Sequence, residues 1–330
     1  MPYYCKDGRV LNTHDFVQTQ VSIEDFLIRF DEYIKDFLPH NERAKWEDDD
    51  WNYLWDHIHE YEKDGKWAFA TVQDFSESYH HKHKNEHSSQ YFSEVSSSLY
   101  GCMLRVPIMA ASDSYISAER KLELVAFCKQ QGLPPLLTIP FFGISPDLHH
   151  DTAFVQTFHE MPGGFYSWMA INFPDAERMH FLRSDGCAGQ YKCGRHFRWI
   201  SNHRHRVGCR GIPIQHSHFE SCHGKDLSDP ECGRCKFLAN AHEMEHNDDN
   251  LTEMKTAKEF FDFLDARARQ TIKTFEEKKG KGIYERVFIF LDSKAINHNL
   301  PEVKTLDGTT TFHEFNDTGK QGEVTTRVLS

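Results

Sequence analysis

Hydrophobic residues recur along this chain at two spacings, one typical of helices and one typical of strands. Apolar side chains three and four residues apart predict helices over Ser22–Phe37 and Trp46–Tyr61. A third helix is predicted to begin after Thr256, because Thr256 and Glu259 form a capping box in front of an apolar stripe that extends to Phe275. The first two helices carry acidic outer faces and are expected to cover a sheet.

Short apolar segments bounded by glycine, proline or polar residues predict the strands of that sheet. In chain order these segments are Trp67–Phe75, Glu94–Met109, Leu136–Ile144, Met179–Leu182, Ile212–Glu220 and Arg286–Leu291. Helices are predicted over Asp147–Glu160 and Asp229–Glu245, whereas Glu119–Gln131 fits either a strand or a helix. The tail is predicted to form a hairpin between Thr309–Phe315 and Glu323–Leu329.

The order of these elements predicts an α/β fold. Three strands come first and a helical crossover follows, which is the order of a mixed sheet of the ribonuclease-H-like type. We expect a helical N-terminal cover over residues 1–64, a ribonuclease-H-like core with flanking helices over 65–250, and a C-terminal extension over 251–330 that packs on the core.

Three aspartates occupy places in this order where a site is expected. Asp185 follows the strand Met179–Leu182 and precedes a glycine turn, and open α/β sheets place ligands at such carboxyl ends of strands. Asp74 ends the first strand, and Asp229 begins the helix after the fifth strand. Carboxylate oxygens suit Mg²⁺ or Mn²⁺, and a pair of such ions drives phosphoryl transfer. The three acids therefore predict a two-metal site, with Glu243 on the same helix as an alternative third acid.

Charge is distributed unevenly along the chain. The 330 residues carry a formal net charge of -12 and a pI near 6.0, which argues against a protein that is basic all over. Residues 187–214 contain no acid, however, and this segment collects positive charge. Its predicted DNA-binding side chains are Lys192, Arg195, Arg198, Arg204, Arg206 and Arg210, accompanied by His196, His203 and His205. A basic stripe beside the acids fits a phosphate backbone, and a solvated surface loop is the alternative interpretation.

Cysteine content and hydropathy limit the cellular compartments in which the protein is expected. The N-terminus lacks the pattern of a secretory signal, and the longest apolar run, Leu133–Ile144, is too short to span a bilayer. We expect an intracellular protein with no membrane partner, in which the nine cysteines are reduced thiols or metal ligands. Cys232 and Cys235 have the spacing of half a zinc (Zn²⁺) site, with scattered buried thiols as the alternative.

Three consecutive motifs resemble those of transposases from eukaryotic cut-and-paste DNA transposons. They are Asp74-Phe-Ser-Glu-Ser-Tyr79, then Ser184-Asp-Gly-x-x-x-Gln-Tyr-Lys192, then His223-Gly-Lys-x-x-x-Asp229-x-x-x-Gly233-x-x-Lys236. Between the first two, Asp147-Leu-His-His150-Asp151-Thr is similar to a His-Asp-Thr block of that family. The likeness extends from about Ala44 to Ser330.

The resemblance implies a nuclear enzyme with an Asp-Asp-Asp/Glu triad that cleaves DNA at transposon ends and joins it to target DNA. Asp74 is the expected bridge between two Mg²⁺ or Mn²⁺ ions, and Asp185 and Asp229 are expected to complete their shells. His223 and Lys225 are candidates to contact the scissile phosphate or to position water, with His223 as a general base. The implied partner is DNA, and a homodimer or a higher oligomer is an open alternative to a monomer.

Two other functions remain open at the level of sequence. The first is a stand-alone ribonuclease-H-like nuclease that acts on structured DNA or on hybrids. The second is a catalytically inactive, domesticated module that binds DNA or protein and uses structural zinc on its cysteines. The acidic net charge favours the second, and no helix-turn-helix or complete zinc finger is visible in the sequence.

Overall fold

The computed structural model divides the chain by its internal contacts into two compact units, Met1–Lys45 and Trp46–Ser330. The structure describes residues 3–4, 10–11, 41–42, 44–81, 95–219, 227–245, 254–270, 283–305, 307, 309 and 312–328. In the first unit, Tyr3–Tyr4 pairs antiparallel with Val10–Leu11. The helix predicted over Ser22–Phe37 lies outside the described residues.

The second unit is built on one large mixed sheet with helices on both faces. Its strands are β1 (Lys66–His80), β2 (Ser96–Pro107), β3 (Leu136–Ser145), β4 (Met179–Ser184), β5 (Ile214–His218), β6 (Val287–Phe290), β7 (Phe312–Asp317) and β8 (Val324–Val328). Its helices are α1 (residues 46–57), α2 (Ala118–Gln131), α3 (Thr152–Glu160), α4 (Phe165–Asn172), α5 (Gly194–Asn202), α6 (Ser228–Glu245) and α7 (Ala257–Gln270). None of the described helices combines the length and the apolar character needed to cross a bilayer.

The strand order of the sheet is β8-β7-β5-β4-β1-β2-β3-β6, and Glu62–Lys63 pairs with the start of β1. β2 runs antiparallel to both β1 and β3. β1, β4 and β5 run parallel to one another, and so do β3 and β6. The strands β3, β4, β5 and β6 therefore end on one side of the sheet, which we call the carboxyl edge.

Alternating side chains of the strands supply two separate cores. On one face, Phe69 of β1 packs in the large cluster that includes residues of α2, α3, α4 and α5. On the other face, Ala70 of β1 packs in a cluster with Trp51 of α1. Leu99 and Met103 of β2 pack against α6 and α7 on that second face. The strand period of two explains this division, since successive side chains point to opposite faces.

Most predicted elements of the second unit are confirmed, with small shifts at their ends. The capping box is present, because the Glu259 N–H donates to Thr256 Oγ1 at 3.2 Å and the Thr256 N–H donates to Glu259 Oε2 at 3.0 Å. The terminal hairpin is present as β7 and β8. The segment that fits either a strand or a helix by its sequence is α2, which Ser117 caps and Gly132 ends in a left-handed conformation.

The prediction of one helix over Asp147–Glu160 is wrong in its first five residues. α3 begins at Thr152, because the Asp151 carboxylate caps it by accepting from the Phe154 N–H at 3.0 Å. Residues 146–151 form a loop instead. Helix α4 was not predicted, since its residues are mostly apolar and give no one-sided stripe.

Candidate active site and metal-binding group

Two of the three predicted acids stand side by side near the carboxyl edge. In the parallel pairing of β1 and β4, Gln73 is the partner of Ser184. Asp74 is the next residue of β1, which continues to His80 and does not end at Asp74 as predicted, and Asp185 directly follows the last residue of β4. Neighbouring strands lie about 4.8 Å apart. The two carboxylates therefore start from adjacent backbone positions although 111 residues separate them in sequence.

The third acid lies at the start of α6, close to the same point. Asp74 pairs with Gly101 of β2. A Cβ atom added to Gly101 would lie 2.9 Å from Cys232 Sγ and 3.3 Å from Ser228 Cβ, so the first turn of α6 packs directly on this glycine. Asp229 follows Ser228 and is exposed. The absence of a side chain at Gly101 is thus what allows α6 to begin beside Asp74.

The surroundings of Asp185 hold its side chain in place and partly desolvate it, so that its pKa lies above the ordinary value. Burial raises the pKa of Asp185, while the Cys187 N–H and the positive charge of Lys192 lower it. The Cys187 N–H donates to Asp185 Oδ1 at 3.2 Å. Lys192 lies over the following turn, because a Cβ atom on Gly186 would be 3.3 Å from Lys192 Nζ.

Tyr191 lies within electrostatic reach of both acids. Its pKa is raised mainly by burial, and the negative charges of Asp185 and Asp74 raise it further. The pKa of the Tyr100 hydroxyl is also raised. Burial is the largest cause, and Tyr191 and Asp74 are among the other causes. Both phenols are fully buried in the cluster that includes Phe69.

The remaining predicted site residues do not join this pair in the described part of the structure. Glu243 is buried beside Tyr79, whose pKa is raised by burial and by the Glu243 charge. Tyr79 stands five residues beyond Asp74 on β1, roughly 15 Å away at the rise of an extended strand. His223 and Lys225 lie outside the described residues.

The structure divides the predicted basic stripe into two groups. Arg204, Arg206 and Arg210 each pair with a carboxylate from another segment, in order Asp317 at 2.6 Å, Glu160 at 2.6 Å and Glu177 at 3.6 Å. His196 and His203 are fully buried, so they cannot face a ligand from the surface. The stripe is therefore not one continuous basic surface, since His196 and His203 lie in the core and the three arginines have acidic partners.

The other group lines a cleft beside α5. Arg195 and Arg198 share this cleft, of about 280 Å³, with the ion-paired Arg206, and its remaining lining residues are Gln156, Trp199, Asn202, His205, Leu300, Pro301 and Gln321. No acid is among the described residues that line the cleft. The cleft is therefore a local positive surface on an acidic chain.

The cysteines at the zinc-like spacing are placed in the apolar core. Cys232 and Cys235 are 1% and 2% exposed and pack with Leu99, Met103 and Ala239. Burial raises the pKa of Cys235 to about 12, which keeps its thiol protonated at neutral pH. Neither cysteine belongs to a group of three metal-ligand residues among the described residues.

A different set of side chains can hold a metal ion. Asp147, His149 and His298 offer ligand atoms that all lie within 4.8 Å of one another. Asp147 Oδ1 is 2.8 Å from His149 Nδ1, and Asp147 Oδ2 is 2.7 Å from His298 Nε2. Sequence reasoning missed this group, because His298 is 149 residues away from His149 and lies in a loop with no regular pattern.

Sequence reasoning also missed an array of buried histidines under the sheet. His159, His180, His196, His203 and His216 are fully buried, and burial lowers the pKa of each. His180 and His216 occupy inward positions of β4 and β5, where strand alternation places apolar residues such as Leu182 and Ile214. That alternation is the signal that could have identified them as core residues.

The fold and the site together define a mixed α/β domain with an acidic pair at the carboxyl edge of its sheet. Residues 123–330, more than half of the chain, match the family described as "Domain of unknown function (DUF8701)". The chain belongs to that family. Comparison with curated proteins and with solved structures gives no significant match.

Proposed function

We propose that this chain is the catalytic core of a metal-dependent DNA transposase that acts in the nucleus. Its reaction would be hydrolysis of a DNA phosphodiester, which frees a 3'-hydroxyl, followed by attack of that hydroxyl on a phosphodiester of target DNA. The single observation that carries the proposal is the adjacent placement of Asp74 and Asp185 with the start of α6 packed on Gly101 beside them.

The topology supports the proposal at the level of the fold. Ribonuclease-H-like cores have the strand order 3-2-1-4-5 with only the second strand antiparallel, and the central five strands here run β3-β2-β1-β4-β5 with β2 antiparallel. In that arrangement the first strand, the fourth strand and the helix after the fifth each contribute an acid. Asp74, Asp185 and Asp229 occupy those three elements.

The residues present fit a pair of hard divalent cations. All three donors are carboxylates, the ligand type that Mg²⁺ and Mn²⁺ prefer. Two such ions, when bound, supply charge stabilisation to the attacking and leaving oxygens. The chain itself orients the ligands, since the Cys187 N–H holds Asp185 Oδ1 at 3.2 Å and Ser184 Oγ donates to the Asp185 carbonyl at 2.9 Å.

The positive cleft beside α5 is the part of the predicted stripe that best suits DNA. Arg195 and Arg198 line it, and in the described part of the chain no acid lines it with them. In sequence, Lys192 lies between Asp185 and the two arginines of the cleft. In space, its side chain lies against the turn at Gly186. A phosphate backbone bound in this cleft would meet the positive charges of both arginines.

Nicking of supercoiled plasmid DNA in the presence of Mn²⁺ tests the proposal. We expect Asp74→Asn and Asp185→Asn to abolish nicking, since each removes a charged ligand. Glu77→Gln is the matched control, because Glu77 is an exposed acid on the same strand, and it should nick at the wild-type rate. Full nicking by either aspartate variant would contradict the proposal, provided that thermal unfolding shows all variants to be folded.

The same assay separates the alternatives. Joining of a labelled 3'-hydroxyl oligonucleotide to the plasmid distinguishes a transposase from a stand-alone nuclease, which cleaves without joining. DNA binding without any cleavage would instead identify an inactive module. Comparison of Asp229→Asn with Glu243→Gln decides the third acid, and we expect only the first to lose activity.

A further inference from the structure

The Asp147–His149–His298 group lies where two neighbouring parallel strands end. Ser145 Oγ donates to the Leu291 carbonyl at 2.8 Å, and the Leu291 N–H donates to the Ile144 carbonyl at 2.9 Å. These bonds fasten the end of β3 to the end of β6. The loop after β3 and the loop after β6 therefore begin side by side, and the three ligands come from these two loops.

The carboxylate of Asp147 is fixed before any ion binds. The Asp147 N–H donates to Ser145 Oγ at 3.1 Å, and Ser98 Oγ donates to the Asp147 carbonyl at 2.5 Å. The His149 N–H donates to Asp147 Oδ1 at 2.8 Å. Asp147 is only 9% exposed, so the surrounding protein leaves its carboxylate few other orientations.

His298 is oriented by a second carboxylate. Its Nδ1 lies 2.8 Å from Asp151 Oδ2, while its Nε2 points at Asp147. Asp151 is itself held, because its Oδ1 caps α3 through the Phe154 N–H at 3.0 Å. A carboxylate that binds one nitrogen of a histidine ring and so presents the other nitrogen is the usual outer support of a metal-ligating histidine.

We propose that Asp147, His149 and His298 bind one divalent transition-metal ion of the Zn²⁺ type, with Asp151 as the outer support of His298. Two imidazole nitrogens and one carboxylate oxygen suit Zn²⁺ and its neighbours, whereas Mg²⁺ and Ca²⁺ prefer oxygen alone. His149 is 76% exposed in its side chain, so the fourth position of a tetrahedral ion opens to solvent.

This centre is distinct from the pair of ions proposed at the aspartates, and it does not depend on that function. It shares no ligand with Asp74 or Asp185. It stands near them through His150, whose ring stacks on Phe75 at 4.4 Å between centroids. A bound ion would join residues 147–149 to residue 298 and hold the loop that carries His150 against Phe75.

Titration of the chelator-treated full chain with Co²⁺ and with Zn²⁺ tests the assignment. We expect one equivalent of Co²⁺ to bind with visible d–d absorption and without a thiolate charge-transfer band, and Zn²⁺ to displace it. Asp147→Asn, His149→Asn and His298→Gln should lose this site. His149→Asn is the most informative of the three, since its exposed side chain contributes little to folding.

Two further variants make the test specific. Asp151→Asn keeps an oxygen that can cap α3 but presents an amide to His298, so we expect about 10- to 100-fold weaker binding. His150→Gln lies in the same loop without belonging to the group and should bind as the wild type does. Absence of Co²⁺ and Zn²⁺ binding by the wild type, unchanged binding by His149→Asn, or a thiolate band would each overturn the proposal.

Discussion

Tyr166 places its hydroxyl group 2.7 Å from Nδ1 of His180, and the same hydroxyl is 2.8 Å from Nε2 of His203. All three side chains are fully buried. His180 Nε2 lies 2.7 Å from Thr71 Oγ1, and His203 Nδ1 donates to the Ile212 carbonyl at 2.6 Å. A continuous polar chain therefore connects β1 to the segment before β5 through the core.

Stability should fall as the pH drops below about 6.5, because these histidines must stay neutral in the folded chain. Burial lowers the pKa of His203 to about 4, with Arg206 acting in the same direction and the Ile212 carbonyl, Glu160 and Asp317 opposing. The unfolded chain takes up that proton near pH 6.5. The unfolded state thus binds more protons between these values, and His203 alone should cost about 2 kcal/mol of unfolding free energy between pH 7.5 and pH 5.

Urea unfolding at several pH values measures this loss. His203→Gln should show a shallower decline between pH 7.5 and pH 5 than the wild type. His205→Gln serves as the control, because His205 is an exposed histidine two residues away. An equally steep decline in His203→Gln would show that the acid sensitivity arises elsewhere.

Tyr166→Phe should destabilise the fold by about 2 kcal/mol. The change removes one hydroxyl and leaves two buried imidazole nitrogens without their partner, and each unsatisfied buried group costs about 1–3 kcal/mol. The midpoint of urea unfolding should fall with little change in its slope. Tyr53→Phe is the matched control, since Tyr53 is 57% exposed, and it should change stability by less than about 0.5 kcal/mol.

Gly101→Ala should impair both the fold and the candidate active site. The added methyl would meet Cys232 Sγ at 2.9 Å and Ser228 Cβ at 3.3 Å, so the first turn of α6 must move away from Asp74. Overpacking of this kind costs about 1–3 kcal/mol. Mn²⁺-dependent nicking should fall together with thermal stability.

Gly233→Ala provides the control for that substitution. Gly233 lies in α6, and a Cβ atom there would meet nothing within 4 Å. Alanine is favoured over glycine in a helix by about 1 kcal/mol, so this variant should be slightly more stable and nick normally. If Gly233→Ala loses nicking to the same extent as Gly101→Ala, then α6 is sensitive to any substitution. The effect of Gly101→Ala would then not show that the packing of α6 on Gly101 matters.

Arg195→Ala and Arg198→Ala should each weaken DNA binding, because each removes a positive charge that can neutralise a phosphate. Every phosphate interaction removed is expected to reduce the slope of log Kobs against log salt by about 0.9. Arg204→Ala should instead lower the unfolding free energy, because Arg204 Nε donates to Asp317 Oδ2 at 2.6 Å. An unchanged salt slope in the double variant Arg195→Ala/Arg198→Ala would remove the cleft from the DNA path.

The periodic parts of the sequence predicted the structure well. The capping box of Thr256 and Glu259, the strand that leads to Asp185 and the terminal hairpin are all present. These features depend on local chemistry, which a single stretch of sequence contains. The adjacency of Asp74 and Asp185 also followed, because their elements were placed in the correct order along the chain.

The errors concern contacts between distant segments. The partner of Arg206 was not predicted: Glu160 accepts two hydrogen bonds from its guanidinium, at 2.6 and 2.8 Å. His203 looked like part of the basic stripe and is buried. Asp147 was predicted to lie in a helix, but that helix begins only at Thr152, after its cap at Asp151. No local pattern reports which segment supplies a partner, so these residues required the fold.

The hairpin at the end of the chain has a consequence for any shortened version of the protein. β7 covers the outer side of β5 by antiparallel pairing, and Phe315 stacks on Phe197 at 4.3 Å between ring centroids. A truncation before residue 312 would leave β5 with a row of unsatisfied backbone groups and an uncovered phenyl ring. Such open edges promote self-association, so we expect shortened chains to aggregate where the full chain does not.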